Sequence, residues 1–124
     1  MMMNNWDDDI MNQVFRDYLN ATDSKKHIIF NRRIFPVFIR LINDEFNTHK
    51  INLNLDSIED TENNCLTFLF ESIHKFNPDK IWKDGKKINS KTYFSMMVRC
   101  FIADNNKRNY DEKRKRASLE EYEE

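Results

Sequence analysis

The chain has 124 residues, 33% of them charged, with one glycine and two prolines. This length suits one domain, or one domain with tails, and so few turn-forming residues argue against a β-sandwich or barrel. No apolar run approaches the roughly 18 residues of a membrane span, and the acidic start through Asp7–Asp9 is not typical of a signal peptide. The net charge of −1 conceals a segment, 103–116, with six Lys/Arg and three Asp/Glu, so local charge is the better guide to nucleic-acid binding.

The first fifty residues predict helices. Asn5 or Asp7 is a suitable N-cap for a helix that runs to about Asn20. Its predicted apolar stripe is Ile10, Val14, Phe15 and Tyr18. Thr22 begins a second helical pattern, whose apolar positions are Ile28, Ile29, Ile34, Phe35, Phe38, Ile39, Leu41, Ile42 and Phe46. Pro36 lies inside it and either kinks one long helix or marks the first turn of another near 34–48.

Two further helices are predicted after an extended linker at 51–55. The third helix is capped by Asp56-Ser57 or by Asp60-Thr61 and reaches Phe76, and its apolar stripe is Leu66, Leu69, Phe70 and Ile73. A lysine-rich loop with the only glycine follows. Ser90 is then expected to cap the last helix, which starts at Lys91 and frays past 105–110. Its stripe is Phe94, Val98, Phe101 and Ile102.

These elements predict an all-α fold, a compact bundle of four to five helices with a disordered, charged C-terminal tail. We expect an N-terminal helix in 1–22, a helical domain in 23–110 and the tail in 111–124. The tail ends in four Glu with no base over 117–124.

Catalytic and metal-binding patterns are not found in the sequence. His27, His49 and His74 are far apart and lack metal-ligand spacing with Cys65 or Cys100, and one glycine cannot form a phosphate-binding loop. We therefore expect neither an enzyme nor a cofactor. Both cysteines are expected to be buried, reduced thiols of a cytoplasmic protein.

The last helix offers a candidate nucleic-acid surface. Helical rotation places Tyr93, Met96, Met97 and Cys100 on the flank of the apolar stripe, and turns Thr92, Ser95 and Arg99 further towards solvent. Aromatic and cationic side chains beside a lysine-rich loop can stack on bases and bind phosphate. The alternative is that these rings belong to the core and that 107–116 is a solvated helix end.

The order of several short motifs resembles region 2 of the bacterial sigma-70 family. The matching features are a polar helix ending in Lys75-Phe76, a basic loop, Lys91-Thr92-Tyr93, and Val98-Arg99 followed by Ile102. The turn at 77–80 brings the chain nearer to the late-transcription sigma factors of T-even-type phages. The resemblance covers roughly 28–116, and its specific motifs lie within 60–108.

The resemblance implies two binding surfaces. One docks on the clamp of the largest subunit of core RNA polymerase, through Asp60, Asn63, Asn64, Thr67 and Phe70. The other contacts the non-template strand of promoter DNA in the −10 element, with Tyr93 stacking on a flipped base. Its expected members are Lys86, Lys87, Lys91, Thr92, Tyr93, Met96, Met97, Arg99, Cys100, Lys107 and Arg108. Such a protein acts in the bacterial cytoplasm, that of the host if the gene is a phage gene.

Departures from the family pattern limit what this factor is expected to do unaided. Met96 and Met97 stand where primary sigma factors have paired tryptophans, and Cys100 and Ala103 replace a glutamine and a threonine that read bases. Nothing after Arg116 fits a helix-turn-helix, so we expect the protein to need help in choosing promoters. The resemblance to the phage late sigma factors implies a coactivator and a DNA sliding clamp as the partners that give this help. Two alternatives stay open: a polymerase-binding module that does not contact promoter DNA, and a small helical structural or interaction protein.

Overall fold

A computed structural model describes residues 6–53, 57–81, 85 and 89–122, with side chains up to 115. Its helices are α1 (Asp8–Asn20), α2 (Asp23–Ile29), α3 (Phe35–Thr48), α4 (Ile58–Ser72) and α5 (Ser90–Tyr122). A π-helical turn, Phe30–Ile34, joins α2 to α3, and a 3₁₀ turn, Ile73–Lys75, follows α4. The described residues thus form four helical rods without a β-strand, and the predicted all-α fold is confirmed.

The N-terminus of α1 is capped by Asp7, one of the two predicted caps. Its side chain accepts a hydrogen bond from the Ile10 N–H at 3.1 Å. The buried stripe, however, consists of Met11, Val14, Phe15 and Tyr18. Ile10 is 53% exposed, so its prediction as a core residue was wrong. The actual stripe follows the i, i+3, i+4, i+7 spacing from Met11, which turns Ile10 outwards.

Pro36 lies in the first turn of α3, and the helix continues through it. Just before it, the Phe35 N–H donates to the Phe30 carbonyl, five residues back instead of four. A proline ring clashes with the carbonyl of an ordinary preceding helical turn, and the wider π turn gives the backbone another path at this point. Of the two predicted outcomes, the second is observed: Pro36 lies in the first turn of a helix over Phe35–Thr48. Phe35 (39%) and Ile28 (52%) are exposed and do not belong to the buried stripe.

The centre of the core is Phe15 of α1, which is fully buried. Its ring lies 6.1 Å from that of Phe38 in α3, 5.6 Å from Phe76 and 5.0 Å from Phe94 in α5. Aromatic pairs at these distances stabilise a core beyond the area they bury. Residues of α1 therefore share one hydrophobic core with those of α3, α4 and α5.

Ser57 caps α4, as one of the two predicted alternatives has it, because its hydroxyl accepts from the Asp60 N–H at 3.0 Å. Regular α-helix ends at Ser72 rather than at Phe76, and Phe70 is 40% exposed although the sequence places it in the apolar stripe. Residues 51–53 form neither helix nor strand, which agrees with the predicted linker; its other two residues lie outside the described ranges.

The start of α5 differs from the prediction. Ser90 is fully buried within the first turn, and its hydroxyl accepts a hydrogen bond from Trp6 Nε1 at 3.0 Å. The backbone Lys91 N–H instead donates to the Asp8 carboxylate at 3.4 Å, and the Asn89 carbonyl accepts from Tyr93 N–H. Ser90 is therefore the first residue of the helix rather than its cap, and its hydroxyl binds Trp6 instead of a backbone N–H of the first turn.

The C-terminal part of α5 is longer than the sequence suggests. It is helical to Tyr122, through most of the segment predicted to be a disordered tail. Disorder of that segment in solution stays a prediction.

Candidate functional site

The five residues predicted to bind polymerase share one face of α4. Asp60, Asn63, Asn64, Thr67 and Phe70 are all exposed, and residues three and four apart are neighbours on a helix surface. The Thr67 hydroxyl donates to the Asn63 carbonyl at 3.1 Å, so its hydrogen bond stays within α4. We call these five residues the α4 stripe.

The charge of α4 has one sign only. Its fifteen residues include Glu59, Asp60, Glu62 and Glu71 but no lysine, arginine or histidine. Three of the four carboxylates are exposed and Glu62 is half-buried. A surface with one sign of charge attracts a partner of the opposite sign and speeds their association. The chemistry of α4 therefore fits a basic protein surface.

An apolar anchor lies at the C-terminal end of the α4 stripe. The Phe70 ring meets the Phe30 ring edge-on at 5.0 Å. Both rings line a shallow cavity of about 280 Å³, together with Tyr18, Asp23, Lys26, His27 and His74. Exposed aromatic groups beside a cavity are common anchors of protein interfaces, so the stripe combines charged, amide and aromatic contacts.

Most residues of the predicted DNA surface are accessible on α5. Lys91, Thr92, Met96, Arg99, Cys100, Lys107 and Arg108 are exposed, and Tyr93 and Met97 are half-buried. Lys86 and Lys87 lie outside the described residues. Two expectations fail on this helix: Cys100 is exposed rather than buried, and Ser95 is buried rather than turned to solvent. Ser95 lies one residue from Phe94, beside the buried Val98 and Ile102, which explains its burial.

Tyr93 is held against the core by two rings. Its ring centroid lies 5.0 Å from that of Phe76 and 5.0 Å from that of Phe94. Burial raises the pKa of the Tyr93 phenol, so the hydroxyl stays protonated well above neutral pH. The Tyr93 ring is half-buried, so part of it stays accessible to a base.

Arg99 has a partner within the fold. Its Nε donates to Glu45 Oε2 at 3.1 Å and its Nη2 to Oε1 at 3.5 Å. Glu45 is 8% exposed, whereas the Arg99 side chain is 55% exposed. His49 Nε2 also lies 3.3 Å from Glu45 Oε2, but without hydrogen-bond geometry. Any contact of Arg99 with DNA would therefore compete with a buried carboxylate.

The structure does not place Tyr93 and Arg99 side by side. Six helical residues at about 100° each leave them about 120° apart around α5, with Met96 half-way between. Met96 is 47% exposed. The candidate surface is thus a broad arc with a thioether in the middle, flanked by a ring on one edge and a paired guanidinium on the other.

Two polar features escaped the sequence analysis. One is Glu45, which occupies a position of the apolar stripe of α3, next to Phe46. The other is the asparagine cluster of α5, namely Asn105, Asn106 and Asn109. In both cases the signal in the sequence is a polar residue at the spacing of the buried positions.

The asparagine cluster holds the linker that follows α3. Asn105 and Asn109 donate to the Asn52 carbonyl at 2.8 and 2.5 Å. Asn106 accepts from the Asn52 N–H at 2.6 Å and donates to the Lys50 carbonyl at 3.0 Å. Backbone groups of an extended segment need such partners when no strand pairs with them. The side chains of α5 therefore fix the path of the chain from α3 towards α4.

The two thiols differ in environment. Cys65 is fully buried, as expected. Burial, and next the charge of Glu62, raise its pKa to about 12, which leaves it an unreactive thiol. Among the described residues, no three His, Cys, Asp or Glu side chains are grouped closely enough to hold a metal ion. No helix in the described ranges has the length and apolarity that crossing a membrane requires.

Comparisons with known proteins give no identity. No family model, curated protein or solved structure matches the chain. The likeness to sigma region 2 therefore rests on the residues themselves.

Proposed function

We propose that the chain is a sigma-like transcription initiation factor. It docks on the clamp coiled coil of core RNA polymerase through the α4 stripe and engages the −10 promoter element through α5, for late genes of a phage. A coactivator and a DNA sliding clamp assist it in choosing promoters. The observation that carries the proposal is the exposure of all five predicted docking residues on one face of a helix without a basic residue.

The polymerase contact is tested by a matched pair of exposed asparagines. Asn63→Arg places a cation within the α4 stripe, and Asn47→Arg places one at an exposed position of α3. Retention of each variant on immobilised core polymerase is measured against the parent. We expect Asn63→Arg to lose retention at least tenfold, since a like charge then faces a basic partner, while Asn47→Arg behaves as the parent. Equal retention of both variants would remove the α4 stripe as the docking site.

The promoter contact is tested by transcription. Run-off synthesis from an A/T-rich −10 template is measured with core enzyme, with and without the protein. Tyr93→Ala removes the stacking ring, and losing a stacked base costs about 1–3 kcal/mol, so we expect the open-complex lifetime to fall at least fivefold. Met11→Ala serves as the control for general destabilisation, because Met11 is buried in α1 away from the arc. A protein that gives no transcript with any template would contradict the sigma assignment.

A second candidate function is favoured by the Arg99 pair. If the guanidinium stays with Glu45, the arc on α5 lacks its cation, and the protein would be a polymerase-binding inhibitor or coactivator that does not contact promoter DNA. This function predicts that Tyr93→Ala leaves activity unchanged while Asn63→Arg abolishes it. The same transcription assay, run with a host sigma factor present, distinguishes the two functions.

A further inference from the structure

A strongly one-sided charge distribution surrounds the π turn between α2 and α3. Residues 24–43 contain five Lys/Arg and one histidine but no Asp or Glu. The whole chain, in contrast, has 20 Lys/Arg against 21 Asp/Glu. This segment belongs neither to the α4 stripe nor to the arc on α5.

Three of these cations project into solvent. Lys25 of α2 and Arg32 and Arg33 of the π turn are all exposed. No described residue forms an ion pair or a hydrogen bond with their side chains, whereas Arg16 pairs with Asp79 and Arg99 with Glu45. We call Lys25, Arg32 and Arg33 the basic ridge. The side chains of the basic ridge are therefore available to an outside partner without breaking a contact of the described fold.

The spacing gathers the basic ridge into one surface. Lys25 and Arg32 are seven residues apart, which is two helical turns, and so lie on one side of the rod. Ile28, 52% exposed, lies between them on the same side. Arg33 follows Arg32 in the chain and points roughly a quarter turn further round the rod, so the three exposed cations cover one broad side of it.

We propose that the basic ridge binds the phosphate backbone of duplex nucleic acid, as a contact separate from the −10 surface. Guanidinium groups match phosphate oxygens in pairs of hydrogen bonds. Cations on one side of an exposed helical rod can contact phosphates of one strand, and such contacts position a protein without reading sequence. The exposed apolar side chains of this segment, Ile28 and Phe35, are too small an area for insertion into a lipid surface, which normally needs a whole apolar helix face.

The test uses the full chain and a fluorescent 25-base-pair duplex of arbitrary sequence that lacks a −10 element. Anisotropy gives the Kd over a range of salt concentrations. Arg32→Gln/Arg33→Gln removes two cations from the basic ridge, and glutamine keeps a good helix propensity. The matched control, Lys50→Gln/Lys75→Gln, removes two exposed cations elsewhere. Thermal melts by circular dichroism verify that both variants fold like the parent.

We expect the ridge variant to bind the duplex about tenfold more weakly at 0.1 M salt, and its slope of log K against log salt to be shallower by about 2, since each lost phosphate contact releases one counterion fewer. The control should keep the slope of the parent. Equal slopes for ridge variant and parent would overturn the proposal. The proposal would also be overturned if the ridge variant lost binding to phosphatidylserine vesicles, or to polyglutamate, but kept its binding to the duplex.

The outcome is independent of the proposed sigma function. Retention on core polymerase is measured with the same variants. If the parent fails to bind polymerase but its duplex binding depends on Arg32 and Arg33, the basic ridge stands and the sigma proposal falls. If the parent binds polymerase but the duplex slopes of ridge variant and parent are equal, the sigma proposal stands and the basic ridge falls.

Discussion

Replacing Arg99 with alanine tests whether this residue belongs to the fold or to the promoter surface. The change removes two donors from Glu45, whose side chain is only 11% exposed. The carboxylate would keep His49 Nε2 as a neighbour at 3.3 Å but lose its hydrogen bonds to the guanidinium. We expect Arg99→Ala to destabilise the protein even when no DNA or polymerase is present.

The size of the loss follows from the partial burial of the pair. Coulomb's law gives about 5 kcal/mol for unit charges at the observed 3.1 Å with an effective dielectric constant of about 20. The Arg99 side chain is 55% exposed, so water screens much of this attraction. Exposed pairs contribute about 0–1 kcal/mol, and breaking a buried pair costs about 3–5 kcal/mol. Glu45 is buried and Arg99 is exposed, so removing the Arg99 guanidinium should lower the free energy of unfolding by an intermediate amount, about 1–2 kcal/mol. This loss corresponds to a fall of roughly 3–8 °C in Tm.

The assay is urea unfolding of four proteins: the parent, Arg99→Ala, Glu45→Gln and the double variant. If the loss comes from a stranded carboxylate, Glu45→Gln should recover about 1 kcal/mol of it in the double variant, because the neutral amide needs no cation. Lys107→Ala, at another exposed cation of α5, should change the free energy of unfolding by less than about 0.5 kcal/mol.

Additive effects of Arg99→Ala and Glu45→Gln on the free energy of unfolding would refute this explanation, as would an Arg99→Ala protein as stable as the Lys107→Ala control.

The same variants separate two roles of Arg99 in transcription. A direct promoter contact predicts that Arg99→Ala lowers promoter-complex stability by about 1–3 kcal/mol and that Glu45→Gln does not rescue it. A purely structural role predicts rescue of the open-complex lifetime in the double variant.

Three further outcomes are expected. Phe15→Ala should cost about 3–5 kcal/mol in urea unfolding, since the ring is fully buried, whereas Ile10→Ala, at a 53% exposed position, should cost under about 1 kcal/mol; similar losses would contradict the described core. A thiol reagent at pH 8 should modify Cys100 in the native chain and Cys65 only after unfolding, because the pKa of Cys65 is raised to about 12 and its thiol is buried; two fast thiols would contradict this. Asn106→Ala should accelerate hydrogen exchange of the linker amide that it binds at 2.6 Å, measured by NMR; unchanged exchange there would show that the contact is not formed in solution.

Local chemistry made several features predictable. Asp7 and Ser57 were recognisable as caps because a short polar side chain before an apolar helical pattern is the residue type that accepts from the first turn. Most of the stripe of α5 followed from spacing alone, since Phe94, Val98 and Ile102 are buried and Phe101 is half-buried. Such features depend on residues within a turn or two of each other, and one sequence contains all of that information.

Features that depend on a distant partner were not predictable in the same way. Ser90 is a residue type that caps helices, but Trp6, 84 residues away, donates a hydrogen bond to its hydroxyl. Ile10 and Met11 both fit an apolar stripe, and only the packing of α1 on the other helices decides which is buried. Arg99 looked like a free surface cation until α3 supplied Glu45. In each case the local pattern allowed two outcomes and a tertiary contact selected one.

The candidate surfaces follow the same division. Exposure of the four polar members of the α4 stripe was predictable because polar residues recur at three- and four-residue spacing opposite Cys65 and Leu69, which are buried. Exposure of Phe70 was not, because its spacing also fits the apolar stripe of the same helix. The breadth of the arc on α5 was predictable as well, because helical rotation already separates Tyr93 on the flank from Arg99 nearer the solvent. Six residues of separation place them on the two edges of one side, a result that helical geometry alone could have supplied.

The segregation of charge explains why a net charge of −1 says little about the partners of this chain. α4 carries acids without a base, and 24–43 carries bases without an acid. The two surfaces therefore favour opposite partners, a basic protein face for the α4 stripe and a polyanion for the basic ridge. Each surface attracts a partner of opposite charge and repels one of like charge. The α4 stripe therefore discriminates against a polyanion, and the basic ridge discriminates against a basic protein face. Both contacts should weaken with salt, but only the second should do so with the slope of counterion release from DNA, and this difference allows each surface to be measured in the presence of the other.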